Sequence, residues 1–250
     1  MDTPNNKIIL MGKVLEAPVF NHDVQGEKFM RMKLQVERLS KAMDILPVTI
    51  SERLLTNAAL EVGSQVAFTG QIRAYNIVGT SNEPKLNVTA FAQAFVDNET
   101  VENPNVVELE GTICKVPNYR TTPFGREIAD VMLAVNRNYG KSDYIPCIVW
   151  GRNASFVANL KVGTKVKFKG RFQSREYTKQ LENGETINRV AYEVSVNNVS
   201  IVKAEEKKPG QENTKAPEKA AGEQHNKETE PEKEAVLVVA QEEEKPASET

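Results

Sequence analysis

Val162-Gly163-Thr164-Lys165-Val166-Lys167-Phe168-Lys169-Gly170 is echoed one hundred residues earlier by Val62-Gly63-Ser64-Gln65-Val66-Ala67-Phe68-Thr69-Gly70. In both stretches a Val-Gly turn leads into apolar residues at every second position, the pattern of a half-buried strand. The echo extends outward. At an offset of 99, Gly12 aligns with Gly111, Pro18 with Pro117, Gly26 with Gly125, and Leu34-Gln35-Val36 with Leu133-Ala134-Val135. Asp44 aligns with Asp143, Pro47 with Pro146 and Arg53 with Arg152, after which one inserted residue moves the offset to 100. So many coincidences mark a duplicated unit of roughly 100 residues, an ordinary size for one domain.

Each unit reads as mostly β. In the second, Val107 and Leu109 open a strand that runs through Ile113. Val131, Leu133 and Val135 share one face of the next strand, and Ile145, Cys147 and Val149 share a face of the third. Val166 and Phe168 define a fourth, and residues 190–202 a fifth, with Tyr192, Val194 and Val196 on one side. Between the third and fourth, residues 153–160 predict one short helix with Asn153 as its cap. Five strands with a helix between the third and fourth is the order of an OB-fold, a small Greek-key barrel. The first unit repeats it, with strands expected near 7–16, 28–38, 45–51, 65–75 and 85–96. The expected fold is therefore all-β, with two tandem five-stranded OB-fold barrels at 1–103 and 104–203. Residues 204–250 lack aromatics and are rich in Glu, Lys, Pro, Ala, Gln and Asn. Such a segment buries too little apolar surface to offset ordering, and a disordered acidic tail is expected. One apolar run, Val236–Val239, interrupts it.

Charge is unevenly divided. Residues 1–103 carry 10 Lys/Arg against 12 Asp/Glu, a net of −2; residues 104–203 carry 15 against 9, a net of +6; residues 204–250 carry 7 against 13, a net of −6. A basic second unit beside an acidic tail points to a polyanionic partner for that unit. The two cysteines, Cys114 and Cys147, and the two histidines, His22 and His225, form no metal-ligand spacing. Two reduced thiols in strands are expected, with a disulfide as the alternative. No nucleophile–base pair or phosphate-cradling glycine loop is found, so neither an enzyme nor a cofactor is expected. The absence of a long apolar run or a basic leader predicts a soluble cytoplasmic, nucleoid-associated protein without membrane contact.

The fourth strand of the second unit, Lys165 to Tyr177, places Lys165, Lys167, Lys169, Arg171, Arg175 and Tyr177 on one face if extended, with Val166, Phe168 and Phe172 facing the core. A row of cations ending in an aromatic suits a polyanion that carries flat rings, because phosphates take the charges and bases stack. On the third strand Tyr144 and Trp150 share the face opposite Ile145, Cys147 and Val149, and Arg152 follows. Tyr139, with Arg137 two residues before it, lies in one loop, and Tyr119, Phe124 and Arg126 in a hairpin. Aromatics interleaved with arginines fit a groove that tracks a nucleic-acid strand.

These residues resemble bacterial single-stranded DNA-binding proteins. Tyr144-Ile145-Pro146-Cys147-Ile148-Val149-Trp150-Gly151-Arg152-Asn153-Ala154 is similar to that family's third strand and helix start. Leu160 to Val166, then Phe168-Lys169-Gly170-Arg171, is similar to its fourth strand, and Arg175-Glu176-Tyr177 with Arg189 to Val194 to its last hairpin. Asn6 to Lys13 is similar to its first strand. The resemblance implies base stacking on Tyr139, Tyr144, Trp150 and Tyr177, with Arg126, Arg137, Arg152, Lys167, Lys169, Arg171, Arg175 and Arg189 toward phosphates. It also implies a homodimer with four OB-folds, and partner replication or repair proteins docked by the tail. The first unit departs from the pattern: Ser40, Ile45 and Ser51 stand where Tyr139, Tyr144 and Trp150 stand in the second. Gln65, Ala67, Thr69 and Gln71 replace the basic row, and Tyr75 alone remains near the fourth aromatic. This unit is expected to be degenerate and structural. The chain ends Lys245-Pro246-Ala247-Ser248-Glu249-Thr250, without the terminal Pro-Phe of that family's acidic tip, and Val236–Val239 offers a substitute docking peptide. The expected function is sequence-independent binding of single-stranded DNA in replication, recombination or repair. The alternative is a primosome-like or phage accessory OB protein that works mainly as a protein-interaction module.

Overall fold

A computed structural model of the 250-residue chain describes residues 5–55, 60–76, 86–122, 124–137, 140–181 and 184–202. The expected tail with its Val236–Val239 patch, and Tyr139, lie outside the described residues. The first unit forms β1 (Asn6–Val24), β2 (Glu27–Glu37), β3 (Met43–Ser51), the helical turn α1 (Glu52–Leu55), β4 (Gln65–Asn76) and β5 (Leu86–Val96). The second forms β6 (Asn105–Ile113), β7 (Asn118–Thr121), β8 (Glu127–Asn136), β9 (Ser142–Trp150), α2 (Arg152–Ala158), β10 (Lys165–Gln180) and β11 (Thr186–Ile201). β6 and β7 together correspond to the single long β1.

In the first unit the strands pair in the order β1-β2-β3-β5-β4 and back to β1. In the second they pair β6-β8-β9-β11-β10 and back to β6. All pairings are antiparallel except β3 with β5 and β9 with β11. These are two OB-fold barrels. Strict alternation builds each interior: in β6 Val107, Leu109 and Ile113 are buried while Val106, Glu108 and Thr112 are not. Phe68 in one barrel and Phe168 and Phe172 in the other are among the largest fully buried side chains, each worth roughly 1.5–3 kcal/mol of burial.

Glycine is required where each barrel closes. A Cβ on Gly70 would lie 2.0 Å from the Phe91 carbonyl oxygen, and one on Gly170 2.0 Å from that of Ser195. Both follow a β-bulge, between Thr69 and Gly70 and between Lys169 and Gly170. The repeat also places one buried amide at each barrel mouth. Asn6 donates to the Ile72 carbonyl at 2.7 Å and accepts from its N–H at 2.9 Å; Asn105 does the same with Phe172, at 2.7 and 2.9 Å.

The barrels join through β1 and β6, antiparallel, with Ile8 opposite Val107 and Lys7 opposite Glu108. One eleven-stranded sheet results. A second contact locks it. Asp44, fully buried, is held by the Arg38 guanidinium and accepts from the Ser174 N–H of the other barrel at 2.7 Å. Asp143, also fully buried, is held by Arg137 and accepts from the Ala74 N–H at 2.8 Å, with Arg73 adding a bond at 3.1 Å. The hydrogen bond that Arg38 donates to Asp44 holds its guanidinium above its ordinary pKa.

Two local expectations are corrected. The helix after β9 is capped by Gly151 at φ 56°, a conformation that favours glycine, while Asn153 lies inside it and donates to the Asn197 carbonyl at 2.9 Å. Of the two thiols, both free, only Cys147 sits in a strand and is buried; Cys114 follows the end of β6 and is half-buried.

Candidate nucleic-acid interface

The sole tryptophan, Trp150, ends β9 and is half-buried. Its indole N–H donates to Ser195 Oγ on β11 at 3.0 Å, which fixes the ring on the barrel surface. The ring lines a groove of about 1890 Å³ that also receives Arg126, Lys169, Arg171, Arg175 and Tyr177. Barrel one also lines the groove, through Arg38, Leu39 and Lys41 of the β2–β3 loop. Leu39 is fully exposed there.

The charges in the groove are arranged by buried carboxylates. Glu193, 5% exposed, accepts from Gln173 at 2.9 Å and from Arg175 at 3.1 and 3.3 Å. Arg175 in turn lies over the Tyr177 ring, 6.0 Å from its centroid. Arg171 donates one Nη to Gln173 at 3.0 Å. Its Nε is the one buried side-chain nitrogen or oxygen among the described residues without a hydrogen-bond partner. Burial and the nearby Arg38 guanidinium lower the Arg171 pKa. A buried donor left unsatisfied costs about 1–3 kcal/mol.

The remaining predicted residues are dispersed. Lys165 pairs with Glu110 at 2.7 Å and Lys169 with Glu108 at 3.0 Å, both acids on β6 beside β10. The basic row is therefore partly neutralised across the ladder, and Lys167 is exposed outside the groove. Arg152 stands with Phe156 and Val199 in a small recess behind Trp150. Arg189 sits opposite Tyr177 in the β10–β11 ladder. Arg137 is engaged by Asp143 between the barrels rather than in the groove. Tyr144, 53% exposed, is six residues from Trp150 on β9, about 20 Å along a strand, beside barrel one. Ser51, the counterpart of Trp150, is buried and donates to Glu27 at 2.6 Å. Reading the second unit alone missed Arg38, Leu39 and Lys41. The signal was present, since Arg38 and Asp44 recur as Arg137 and Asp143 at the offset of 99.

Among the described residues no helix is long and apolar enough to cross a membrane, and no cluster of three His, Cys, Asp or Glu is placed to hold a metal.

Residues 104–202 match the Single-strand binding protein family. Single-stranded DNA-binding protein 1 of Staphylococcus aureus (strain COL) is 42% identical over 83 residues, 30% of this chain and 50% of that protein. Single-stranded DNA-binding protein A of Bacillus subtilis (strain 168) is 41% identical over 83 residues, 30% of this chain and 48% of that protein. The chain thus spans about half the length of the curated relatives it matches. The crystal structure of wild-type single-stranded DNA binding protein from Thermus aquaticus aligns with a TM-score of 0.65 over 82% of this chain and 96% of that one, at 19% identity. That likeness is one of fold.

Proposed function

We propose, because residues 104–202 match the Single-strand binding protein family, that this chain binds single-stranded DNA without sequence preference in replication, recombination or repair. The observation that carries the reading is the convergence of Trp150, Tyr177, Arg171 and Arg175 in one open groove. Two rings offer stacking platforms to any base, and the guanidiniums meet phosphates, so affinity does not require base-edge contacts. None of these groups supplies a nucleophile or a general base, and the groove serves to hold a strand rather than to transform it.

The principal site is assigned to barrel two. Barrel one holds that groove in shape through β1 and the Asp44–Ser174 contact, and its Lys41, paired with Glu37 at 2.9 Å, lines the same groove. Two such chains would bring four barrels together, and residues 204–250 would reach replication or repair proteins.

Binding of labelled oligo(dT), followed by anisotropy, tests the reading. Trp150→Ala and Tyr177→Ala are each expected to weaken binding by about 1–3 kcal/mol. Ser51→Ala, at the equivalent position of barrel one, is expected to leave affinity unchanged. Equal losses at Trp150 and Ser51 would contradict the assignment to barrel two.

A further inference from the structure

The pseudo-symmetry of the barrels allows each position of the Trp150 groove to be found in barrel one. The closing glycines set one equivalence: Gly70 abuts the Phe91 carbonyl as Gly170 abuts that of Ser195. The parallel ladders agree, with Thr49 opposite Phe91 and Ile148 opposite Ser195. Phe91 is therefore the counterpart of the serine that holds the Trp150 indole. Phe29 stands opposite Ser51 as Ile128 stands opposite Trp150. The ring missing at Ser51 is thus replaced by two rings on the flanking strands.

These rings form a surface ladder. His22 stacks on Phe29 with centroids 5.1 Å apart and planes 18° apart, and Phe29 meets Phe91 at 5.8 Å. The Arg73 guanidinium lies 5.7 Å from the Phe91 centroid. Neither phenylalanine belongs to the hydrophobic core or to the half-buried residues packed against it. The arginine–glutamine pair of the groove is present in mirrored order: Arg171 donates to Gln173 in barrel two, Arg73 to Gln71 in barrel one. Arg73 also bonds Asp143 of barrel two, and Ala74 donates to the same carboxylate. Tyr144 and Tyr75, both exposed, are the chain neighbours of that contact. Arg31, two residues beyond Phe29 on β2, is exposed on the same side of the strand.

We propose that Phe29, Phe91 and Arg73 form a second base-stacking site for single-stranded DNA, so that one strand engages both barrels. The proposal rests on the reading of barrel two as the principal site. Its occupant follows from equivalence in position to the Trp150 groove, from the cation over the ring and from Arg31 beside it. Arg73 and Arg137 already share Asp143, so this face adds affinity mainly by stacking and depends less on salt than the groove does.

The test uses the full chain and two oligo(dT) lengths. One of about 8 nucleotides fills one barrel, and one of about 35 spans both. Phe29→Leu and Phe91→Leu keep apolar bulk and remove the rings. Each is expected to weaken the long oligonucleotide roughly 3- to 10-fold, leaving the short one unchanged and Trp150 still quenched by both. Unchanged affinity for the long strand, with Trp150 quenching intact, overturns the second site and leaves the groove standing. No quenching of Trp150 in the unsubstituted chain overturns both. Photocrosslinking of the unsubstituted chain to a long oligonucleotide bearing 5-iododeoxyuridine gives an independent readout. Crosslinks on peptides with Phe29 or Phe91 support the proposal, and crosslinks confined to barrel two refute it.

Discussion

Lys169 shows how a neighbour decides what a charged residue can do. Its ammonium projects at the groove but is engaged by Glu108, and that hydrogen bond holds the Glu108 carboxyl below its ordinary pKa. The depressed value means the pair contributes stability above the carboxyl's unfolded pKa and loses it as pH falls through the lowered one. The same protonation frees Lys169 for a phosphate. Glu108→Gln, which mimics it at neutral pH, should tighten oligo(dT) binding roughly 2- to 5-fold, the scale of an exposed ion pair of about 0.3–1 kcal/mol. Anisotropy titration checks this, and weaker binding in the variant would show that Lys169 does not reach the strand. None of this is visible in the run from Lys165 to Tyr177 read alone. Glu108 and Glu110 lie some sixty residues away in sequence and are brought alongside only by the β6–β10 register.

At the scale of strands and loops, the alternation of apolar residues and the repeat offset made the barrels legible, because a period of two and a recurring Val-Gly turn are local properties. The aromatic face of barrel one was not legible. The offset grows from 100 at β4 to 104 at β5, where Ala92 answers to Val196, so Phe91 does not align with Ser195 in a fixed-offset comparison. The dispersal of Tyr144 and Arg137 away from the groove was hidden for another reason: parity assigns a side of a strand, while a second barrel decides what lies beyond its end. Besides the β1–β6 pairing, the buried Asp44 and Asp143 each reach across to the other barrel, Asp44 to Ser174 and Asp143 to Ala74 and Arg73. Asp143→Asn leaves Arg137 and Arg73 without their buried carboxylate, and removing one partner of such a pair costs about 3–5 kcal/mol. Urea unfolding should show that loss. A change below about 1 kcal/mol, the scale of a surface pair, would mean the contact does not hold the barrels together.

For the whole molecule, β1 and β6 make the two units one sheet with one continuous core. The two units have diverged in the residues they present at the surface. Barrel two keeps the tryptophan, the basic strand and the unsatisfied arginine; barrel one also lines the groove and carries the rearranged rings. A single strand is expected to lie in the Trp150 groove, held there by stacking and charge. Titration of the full chain with oligo(dT), followed by Trp150 fluorescence at several salt concentrations, tests it most directly. Saturable quenching is predicted, with the logarithm of affinity falling against the logarithm of salt at a slope of about −3 for roughly four phosphate contacts. Absent quenching, or an affinity indifferent to salt, would contradict it.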